Sequence, residues 1–387
     1  MLQGRAVTVA GRHRLPAGLR GRARLLLAAL AAAALAAVPL AQAQAHGHGK
    51  GYRVTNLVSD QPGVAPLTDP DLVNPWGVSL GLPPTPTPIW VSDNGTDKAT
   101  IYPGSVAGSP LTKAGLVVSV PGAPTGQVFN GDGGFVVSAG GASGSARFIF
   151  ATESGQILGW NATVPPPTPP ATLSTQAQVA ATVPDAIYKG LTIASNARGR
   201  FLFAANFHAA RIDVFDDTFT LVHWRGAFVD RHLPGGFAPF NVQTLGDRVY
   251  VAYAKQDENA EDEVAGAGLG FVDVFTTRGH LVRRLISRGL LNAPWGLAIA
   301  PADFGRFSHA LLVGNFGDGH INAYSPRSGR FLGRLRDAHG RPIVIDGLWA
   351  LHFGNGVTGD PNALLFTAGP DDEQHGLLGR IDAIDPD

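Results

Sequence analysis

The sequence predicts an all-β protein whose main part is one six-bladed β-propeller with four-stranded blades. Three observations support this prediction. Three short strand patterns recur six times, at a spacing of about 50–60 residues that is close to the repeat length of propellers. Glycine (50 residues) and proline (29 residues) are abundant, as expected for many short strands joined by turns. A spare strand near the N-terminus matches a missing strand in the last repeat.

The first pattern begins a strand with a small residue that follows an aromatic residue or an Asn-Pro pair. It occurs at 74–78, 133–137, 189–193, 239–242, 294–298 and 347–351. The second is a short hydrophobic strand, at 89–91, 148–150, 201–204, 249–251, 311–313 and 364–366. The third ends in a hydrophobic residue before a turn, at 100–102, 157–160, 212–215, 272–275, 321–324 and 381–384. Polar and apolar residues alternate in strands such as 211–215, which is the period of β-structure.

The ends of the chain predict how the ring closes. Repeats one to five have a fourth strand after the third pattern, but the sixth repeat has none before the chain ends at Asp387. Residues 52–58 form an unpaired strand at the other end. We therefore expect this strand to pair with 379–384 and complete the last blade, which also removes an exposed sheet edge.

The N-terminus has the three parts of a secretory signal. Residues 1–24 are basic, 25–40 form an apolar run, and Ala43-Gln44-Ala45 is a small-x-small cleavage site. The alternative is an uncleaved anchor, but the run is shorter than the ~20 residues that span a bilayer. We predict a signal peptide at 1–45, a flexible leader at 46–51 and one propeller domain at 52–387. The protein would be exported, extracellular or periplasmic, with no membrane span after cleavage.

Composition limits the partners of the mature protein. The signal holds six arginines and no acid, so residues 46–387 carry 24 basic and 30 acidic residues. A mildly acidic chain lacks the basic surface that nucleic acid binding needs. Cysteine is absent, so closure must depend on strand pairing and packing. We expect a monomer that binds a small molecule, a glycan or a protein.

Three motifs carry a family resemblance. They are the Asn-Pro-Trp-Gly strand start at 74–77, the strand end at 90–95 and the glycine-rich loop at 264–268. Together they resemble a family of secreted bacterial proteins with no assigned activity, similar in pattern to NHL-type propellers, over roughly residues 52–385. The resemblance implies an NHL-like propeller and export, and it implies no activity.

In NHL-like blades, the loops that lead into the innermost strand and those that join the second and third strands lie on one face. That face is the usual ligand face of propellers, by analogy of fold. The residues placed there are mostly polar: Asn74, Trp76, Asn94, Glu153, Asn206, Asn241, Asn292, Trp295, Asn315, Asp318, Asp346, Trp349 and Asp371.

Asp93, Asn206 and Asn315 hold matching positions at strand ends. Asn and Asp bond their own backbone in turns, so a structural role is one interpretation. The other is convergence at the axis, where such oxygens suit Ca²⁺ or another divalent cation. In that hypothesis Glu153, Asn206, Asn315 and Asp371 are metal ligands, and Asp93 or His320 is the catalytic base. Gluconolactonase-like propellers hold a metal in this way, and streptogramin-lyase-like propellers use a related face.

Three further features have two interpretations each. Trp76, Trp295 and Trp349 either pack between blades or form a stacking platform for a sugar or peptide. The loop 255–270, with five acids within seven residues, is either a solvated loop or a lid or Ca²⁺-stabilised loop. His46 and His48 either belong to a flexible leader or bind Cu²⁺ or Ni²⁺ together with a free N-terminal amine.

The chain has no nucleophile elbow, no His-Glu-x-x-His and no phosphate-binding glycine loop. The sequence thus favours an exported binding or scaffold propeller with a polar axial face. The alternative is a divalent-metal-dependent hydrolase or lyase. Whether the protein is an enzyme is left open by the sequence.

Overall fold

The computed structural model describes residues 51–384, and all statements on structure concern these residues. The predicted signal peptide at 1–45 lies outside them, as do His46, His48 and the last three residues. Within 51–384 no helix has the length and hydrophobicity of a membrane span.

The described chain is almost entirely β-structure. It begins with β1 (Gly51–Ser59) and β2 (Leu67–Thr68). Blade one contains β3 (Pro75–Ser79), β4 (Ile89–Asp93), a 3₁₀ turn (Asn94–Thr96), β5 (Lys98–Tyr102) and β6 (Val118–Ser119). Blade two starts with β7 (Pro124–Phe129) and, after a hairpin of β8 (Val136–Ala139) and β9 (Ala142–Ser145), continues with β10 (Phe148–Thr152), β11 (Gln156–Trp160) and β12 (Gln178–Thr182). Blade three contains β13 (Tyr188–Asn196), β14 (Gly199–Asn206), β15 (Arg211–Asp216) and β16 (Leu221–Val222).

The second half continues the same plan. Blade four contains β17 (Phe237–Leu245), β18 (Arg248–Gln256), the short β19 (Glu263–Val264), β20 (Gly270–Thr276) and β21 (Leu281–Ser287). Blade five contains β22 (Pro294–Ile299), a 3₁₀ turn (Gly305–Phe307), β23 (Leu311–Asn315), β24 (Ile321–Tyr324) and β25 (Phe331–Arg334). Blade six contains β26 (Leu348–Phe353), β27 (Leu364–Ala368) and β28 (Leu377–Ile384). Each blade is an antiparallel sheet whose strands follow chain order from the axis outward, apart from the short β19 and the strands that close blade six.

The six-bladed propeller with four-stranded blades is confirmed. Six hydrophobic clusters each join two neighbouring blades. Blade one meets blade two through Trp90 and Phe148, whose rings stack with centroids 3.9 Å apart. Blade six meets blade one through Leu365 and Val91 in another cluster. Burial of apolar side chains between sheets therefore continues around the whole ring.

The predicted closure of the ring is also confirmed. β1 pairs antiparallel with β28, with Gly51 opposite Ile384 and Asn56 opposite Gly379. The Tyr52 hydroxyl donates to the Phe304 carbonyl oxygen at 2.9 Å and accepts the Phe307 amide at 3.2 Å. The first described strand thus completes blade six and also contacts blade five. β2 adds a short parallel strand outside β1.

The predicted start of blade two is wrong. The innermost strand is β7 (Pro124–Phe129), whereas the expected segment 133–137 lies in and before the extra hairpin β8–β9. The hairpin misled the prediction because Phe135 is buried like a core residue. Ala123-Pro124-Thr125-Gly126 is the correct counterpart of Asn74-Pro75-Trp76-Gly77.

Candidate functional site

Each innermost strand is interrupted at one point in its pairing with the next strand of its blade. Irregularities of this kind turn a side chain out of the regular alternation and are common beside functional sites. The interruptions coincide with one side chain per blade: Trp76, Thr125, Lys189, Phe240, Trp295 and Trp349. The four aromatic residues of this set belong to one hydrophobic cluster, which therefore lies where all blades meet.

The residue that follows each of these side chains is small in five blades. A Cβ atom on Gly126 would lie 2.2 Å from the Leu191 nitrogen, and one on Gly77 would lie 2.3 Å from the Thr125 carbonyl oxygen. In blade four the position is Asn241, whose side-chain amide donates to the Trp295 carbonyl oxygen at 2.8 Å. The innermost strands thus nearly touch, and the cavity they enclose has a volume of about 20 Å³. The axis is plugged and cannot serve as a channel.

The tryptophans of the ligand-face prediction form the floor of the site. Trp76 and Trp349 stack with centroids 3.6 Å apart, and Trp295 meets Trp349 edge-on at 5.8 Å. All three are almost completely buried. This burial supports packing between blades rather than an exposed platform for a sugar or peptide.

Polar side chains from several blades meet above this floor. We define the axial cluster as Asn74, Asn94, Glu153, Lys189, Asp262, Glu263 and Glu373. Asn74 Oδ1 accepts the Trp349 indole N–H at 3.0 Å, and Asn74 Nδ2 donates to Glu373 at 2.6 Å. Asn94 Nδ2 donates to Glu153 at 3.0 Å. Hydrogen bonds therefore link blades six, one and two across the top of the ring.

Lys189 is the one cation of the axial cluster. Its ammonium lies 2.6 Å from Glu153 Oε1 and 2.8 Å from Asp262 Oδ1, and 5.1 Å from the centre of the Trp76 ring. Burial lowers the pKa of Lys189, but Glu153 and Asp262 together raise it by a larger amount. The net effect is a raised pKa, so the amine stays protonated. The acidic loop 255–270 thus folds back over the axis, because its Asp262 pairs with blade three.

Two carboxyl groups of the cluster have no cation of their own in the described chain. Burial raises the pKa of Glu263 to about 8, with Lys189 opposing and Glu373 and Asp262 adding to the rise. Burial also raises the pKa of Glu373, although its hydrogen bond with Asn74 lowers it. The cluster therefore contains four carboxyl groups and one ammonium, and two of those groups keep a proton more readily than usual.

Asp93 lies elsewhere. It is fully buried at the end of β4, and neither of its carboxyl oxygens has a hydrogen-bond partner among residues 51–384. Burial raises its pKa well above the usual range, and the charges of Asp69 and Asp71 raise it further. A carboxyl group sealed inside a blade has no path to a ligand at the axis, so we do not propose it as a catalytic base.

The structure does not bring together the four proposed metal ligands. Asn206 donates to the buried Asp213 carboxylate at 2.8 Å, within its own blade. Asn315 donates to the Leu290 carbonyl oxygen at 2.8 Å and to Asp318 at 3.0 Å. In the described chain no hydrogen bond joins Glu153, Asn206, Asn315 and Asp371, and no group of three or more His, Asp or Glu side chains is arranged to hold a metal. The residues present do not fit the divalent cation.

The remaining predicted residues lie beside local groups. His320 lies 3.3 Å from Asp318. Asn292 accepts the Gly266 amide at 2.6 Å and so anchors the end of the acidic loop. Asp346 accepts the Asp371 amide at 3.0 Å.

Sequence reasoning missed Lys189 and Glu373. Lys189-Gly190 occupies the position of Trp76-Gly77 and Trp295-Gly296 in blades one and five. A lysine at a position that otherwise holds tryptophan is the signal that could have identified it. Glu373 offers no such signal, because it lies in an irregular turn between β27 and β28.

We predict that Asp93→Asn stabilises the protein at pH 8 by about 1 kcal/mol or more, since it removes a buried carboxylate without a partner. A raised pKa means that the folded chain binds more protons than the unfolded chain, so Asp93 costs stability increasingly as pH rises above about 4. The gain should thus shrink toward pH 4. Urea unfolding at both pH values checks this, with the exposed Asp247→Asn as control. Equal destabilisation at both pH values would contradict it.

Comparison with known sequences finds viral relatives. Uncharacterised protein R648 of Acanthamoeba polyphaga mimivirus is 33% identical over 340 residues, which cover 85% of this chain and 80% of the relative. Uncharacterised protein L690 of the same virus is 34% identical over 344 residues and covers 85% of each chain. No family model matches the chain, so the NHL-like family is not confirmed. A bacterial origin finds no support in these relatives.

Solved propeller structures are similar at low identity. A streptogramin B lyase is 11% identical with a TM-score of 0.45, over 86% of this chain and 97% of the lyase. The periplasmic gluconolactonase PpgL of Pseudomonas aeruginosa is 18% identical with a TM-score of 0.45, over 81% of this chain and 86% of that protein. The fold assignment rests on the sheets themselves.

Proposed function

This chain belongs to the family that contains the uncharacterised mimivirus proteins R648 and L690, and we propose from its own geometry that it is a binding propeller. Its ligand is a cationic molecule held at the axial cluster. The observation that carries the proposal is the imbalance of charge in that cluster. The cluster has four carboxyl groups, from blades two, four and six, and the single ammonium of Lys189, which contacts only Glu153 and Asp262.

A cationic group on the ligand would complete the charge balance. Lys189 neutralises part of the charge of Glu153 and Asp262, whereas burial raises the pKa of Glu263 to about 8 and also raises the pKa of Glu373, because the ionised forms of both are poorly solvated. A primary amine or guanidinium between them would stabilise the ionised forms. Charge-assisted hydrogen bonds of this type are among the stronger polar contacts in proteins. The proposed ligand class is therefore an amino sugar or a basic peptide side chain.

The plugged axis supports binding on the face rather than passage through the ring. The aromatic floor is closed, and the ligand would lie above it, between the acidic loop 255–270 and the turn that carries Glu373. Export, to the periplasm or outside the cell, is part of this proposal and rests on the N-terminal pattern of residues 1–45.

The alternative is a divalent-metal-dependent hydrolase or lyase. Of its proposed ligands, Asn206 is bonded to Asp213 in blade three, and Asn315 is bonded to Asp318 and to the Leu290 carbonyl oxygen, so no observation favours this alternative.

The proposal predicts a difference between an amine and its acetylated counterpart. Oligomers of glucosamine should bind, whereas oligomers of N-acetylglucosamine of equal length should not, because acetylation removes the positive charge. Glu373→Gln should weaken binding about 10-fold or more, as expected for the loss of one charge-assisted hydrogen bond. Affinity for a lysine-containing peptide, whose ammonium stays protonated over this range, should rise from pH 6 to pH 9, since Glu263 ionises with a pKa of about 8. Isothermal titration calorimetry measures all three effects.

The matched control is Asp247→Asn, which removes an exposed carboxylate from the turn between β17 and β18, away from the acidic loop. It should bind like the parent protein. Equal affinity for the amine and its acetylated form would overturn the proposal. Turnover of an oligomer by the parent protein that Glu373→Gln abolishes would show an enzyme instead of a binding module.

A further inference from the structure

A second region of the protein has the opposite charge. Residues 278–341 contain ten arginines, no lysine and no glutamate, and three aspartates. The segment forms the outer part of blade four and nearly all of blade five, and it contributes no residue to the axial cluster. The protein therefore has an acidic centre and a basic flank, although its mature chain carries a net excess of acid.

The basic flank contains a groove along β25, the outermost strand of blade five. Its volume is about 480 Å³, and its lining contains Arg306, Arg334 and Arg336 but no carboxylate. Arg306 comes from the loop between β22 and β23, whereas the other two lie in and after β25. Tertiary structure thus brings guanidinium groups from two separate segments to one groove.

None of these three arginines pairs with an acid in the described chain. Arg334 Nε donates to Asn322 at 3.1 Å, and Arg336 Nη1 donates to the Gly340 carbonyl oxygen at 2.7 Å. The Arg306 guanidinium lies 5.4 Å from the centre of the Phe307 ring. Other arginines of the segment do form ion pairs: Arg284 pairs with Asp230, and Arg341 pairs with Asp337. Three like charges without a counter-ion in one groove favour a bound anion, and arginine suits phosphate in particular.

The groove also exposes large apolar side chains. Leu290 is 42% exposed and Phe331 is 43% exposed, and both line it. Leu281 and Val282 on the neighbouring outer strand β21 are similarly exposed. The Arg283 guanidinium bonds the Arg327 carbonyl oxygen, which places β21 beside the β24–β25 turn. Arginines with exposed apolar side chains between them match an amphiphile better than a polysaccharide, which has no hydrocarbon to bury.

We propose that this flank docks on an anionic phospholipid bilayer. The headgroup phosphates lie against Arg306, Arg334 and Arg336, and Leu290 and Phe331 enter the boundary between headgroups and acyl chains. Basic residues attract anionic lipid surfaces, and apolar side chains add reversible insertion. None of these docking residues belongs to the axial cluster, so the two proposed sites have no residue in common.

Vesicle co-sedimentation of the mature protein tests the proposal. Vesicles of phosphatidylglycerol and phosphatidylcholine should bind it, and vesicles of phosphatidylcholine alone should not. The triple variant Arg306→Gln, Arg334→Gln and Arg336→Gln should bind about 100-fold more weakly, as expected for three basic residues near a charged surface. The double variant Leu290→Ser and Phe331→Ser should also bind more weakly. The matched control is the triple variant Arg147→Gln, Arg198→Gln and Arg225→Gln. It removes the same charge from blade two, from blade three and from the link between blades three and four, and it should bind like the parent protein.

The protein should remain bound to the vesicles in 10 mM inorganic phosphate. Release of the protein from the vesicles by phosphate would assign the groove to free phosphate. Equal binding to both vesicle types would overturn the proposal. Strong binding to dextran sulfate that the Leu290 and Phe331 changes leave unaltered, together with weak vesicle binding, would indicate a polysaccharide site. Melting temperatures of all variants within about 3 °C of the parent would show that folding is intact. If a variant falls outside that range, the test is the salt dependence of vesicle binding by the parent protein. Binding that does not weaken as salt is added would mean that the groove exerts no electrostatic attraction and would overturn the proposal.

Discussion

A variant that lacks residues 46–58 is expected to lose roughly 5–9 kcal/mol of folding free energy. The deletion removes the buried side chains of Tyr52, Leu57 and Val58, each worth roughly 1.5–3 kcal/mol. It also exposes the edge of β28, which pairs with β1 over its whole length. Domains are typically held folded by ~5–15 kcal/mol, so the loss is large. We expect a much lower melting temperature and aggregation through the open edge.

Two controls separate the strand from other effects. Deletion of 46–50 alone should leave stability nearly unchanged, because it keeps all of β1 and its described pairing with β28. Tyr52→Phe keeps the burial but loses the hydrogen bonds of the hydroxyl with Phe304 and Phe307, and should cost about 1–2 kcal/mol. Urea unfolding followed by circular dichroism measures all three. If the long deletion melted within a degree or two of the parent, closure would depend on the packing of blades one and six instead.

Gly126→Ala is expected to destabilise the protein by about 3 kcal/mol or more. A Cβ at this position would lie 2.2 Å from the Leu191 nitrogen and 2.6 Å from the Gly190 carbonyl carbon. Both are backbone atoms of the neighbouring innermost strand, so the clash can be relieved only by moving blade three away from the axis. Overpacking in a rigid core usually costs ~1–3 kcal/mol, and a clash with backbone lies at or above the upper end.

Gly115→Ala is the matched control, because a Cβ there would meet open space. It should leave the urea midpoint unchanged within experimental error. Gly126→Ala should also weaken binding at the axial cluster, since Lys189 immediately precedes Gly190. Equal stability of the two variants would show that the innermost strands have room to separate.

Blade count and ring closure could be predicted from the sequence because both depend on local patterns. Alternating apolar residues identify strands wherever the strands finally lie, and six repeats leave one strand to be paired. The last repeat is the one that lacks a fourth strand, so its outer edge is the edge with which strand 52–58 was expected to pair. The start of blade two could not be predicted in this way, because the inserted hairpin β8–β9 carries the same glycine and aromatic signals as a true innermost strand.

The axial cluster shows the limit of local patterns. Asp93, Asn206 and Asn315 hold equivalent positions in sequence, yet their side chains turn into their own blades, where buried partners or neighbouring strands surround them. The direction of a side chain at a strand end depends on the packing of the next blade, which the repeat pattern does not encode. Equivalent positions thus need not share a function.

The all-β class, the six blades and the pairing of the first strand with the last could be read from the sequence, since hydrophobic period and strand count are local properties. The grouping of Lys189, Asp262 and Glu373 could not, because these residues come from blades three, four and six and their distances depend on how closely the innermost strands approach the axis. The same holds for the arginines of blade five. Electrostatic interaction acts through space, so charge becomes a site only once folding brings distant segments together.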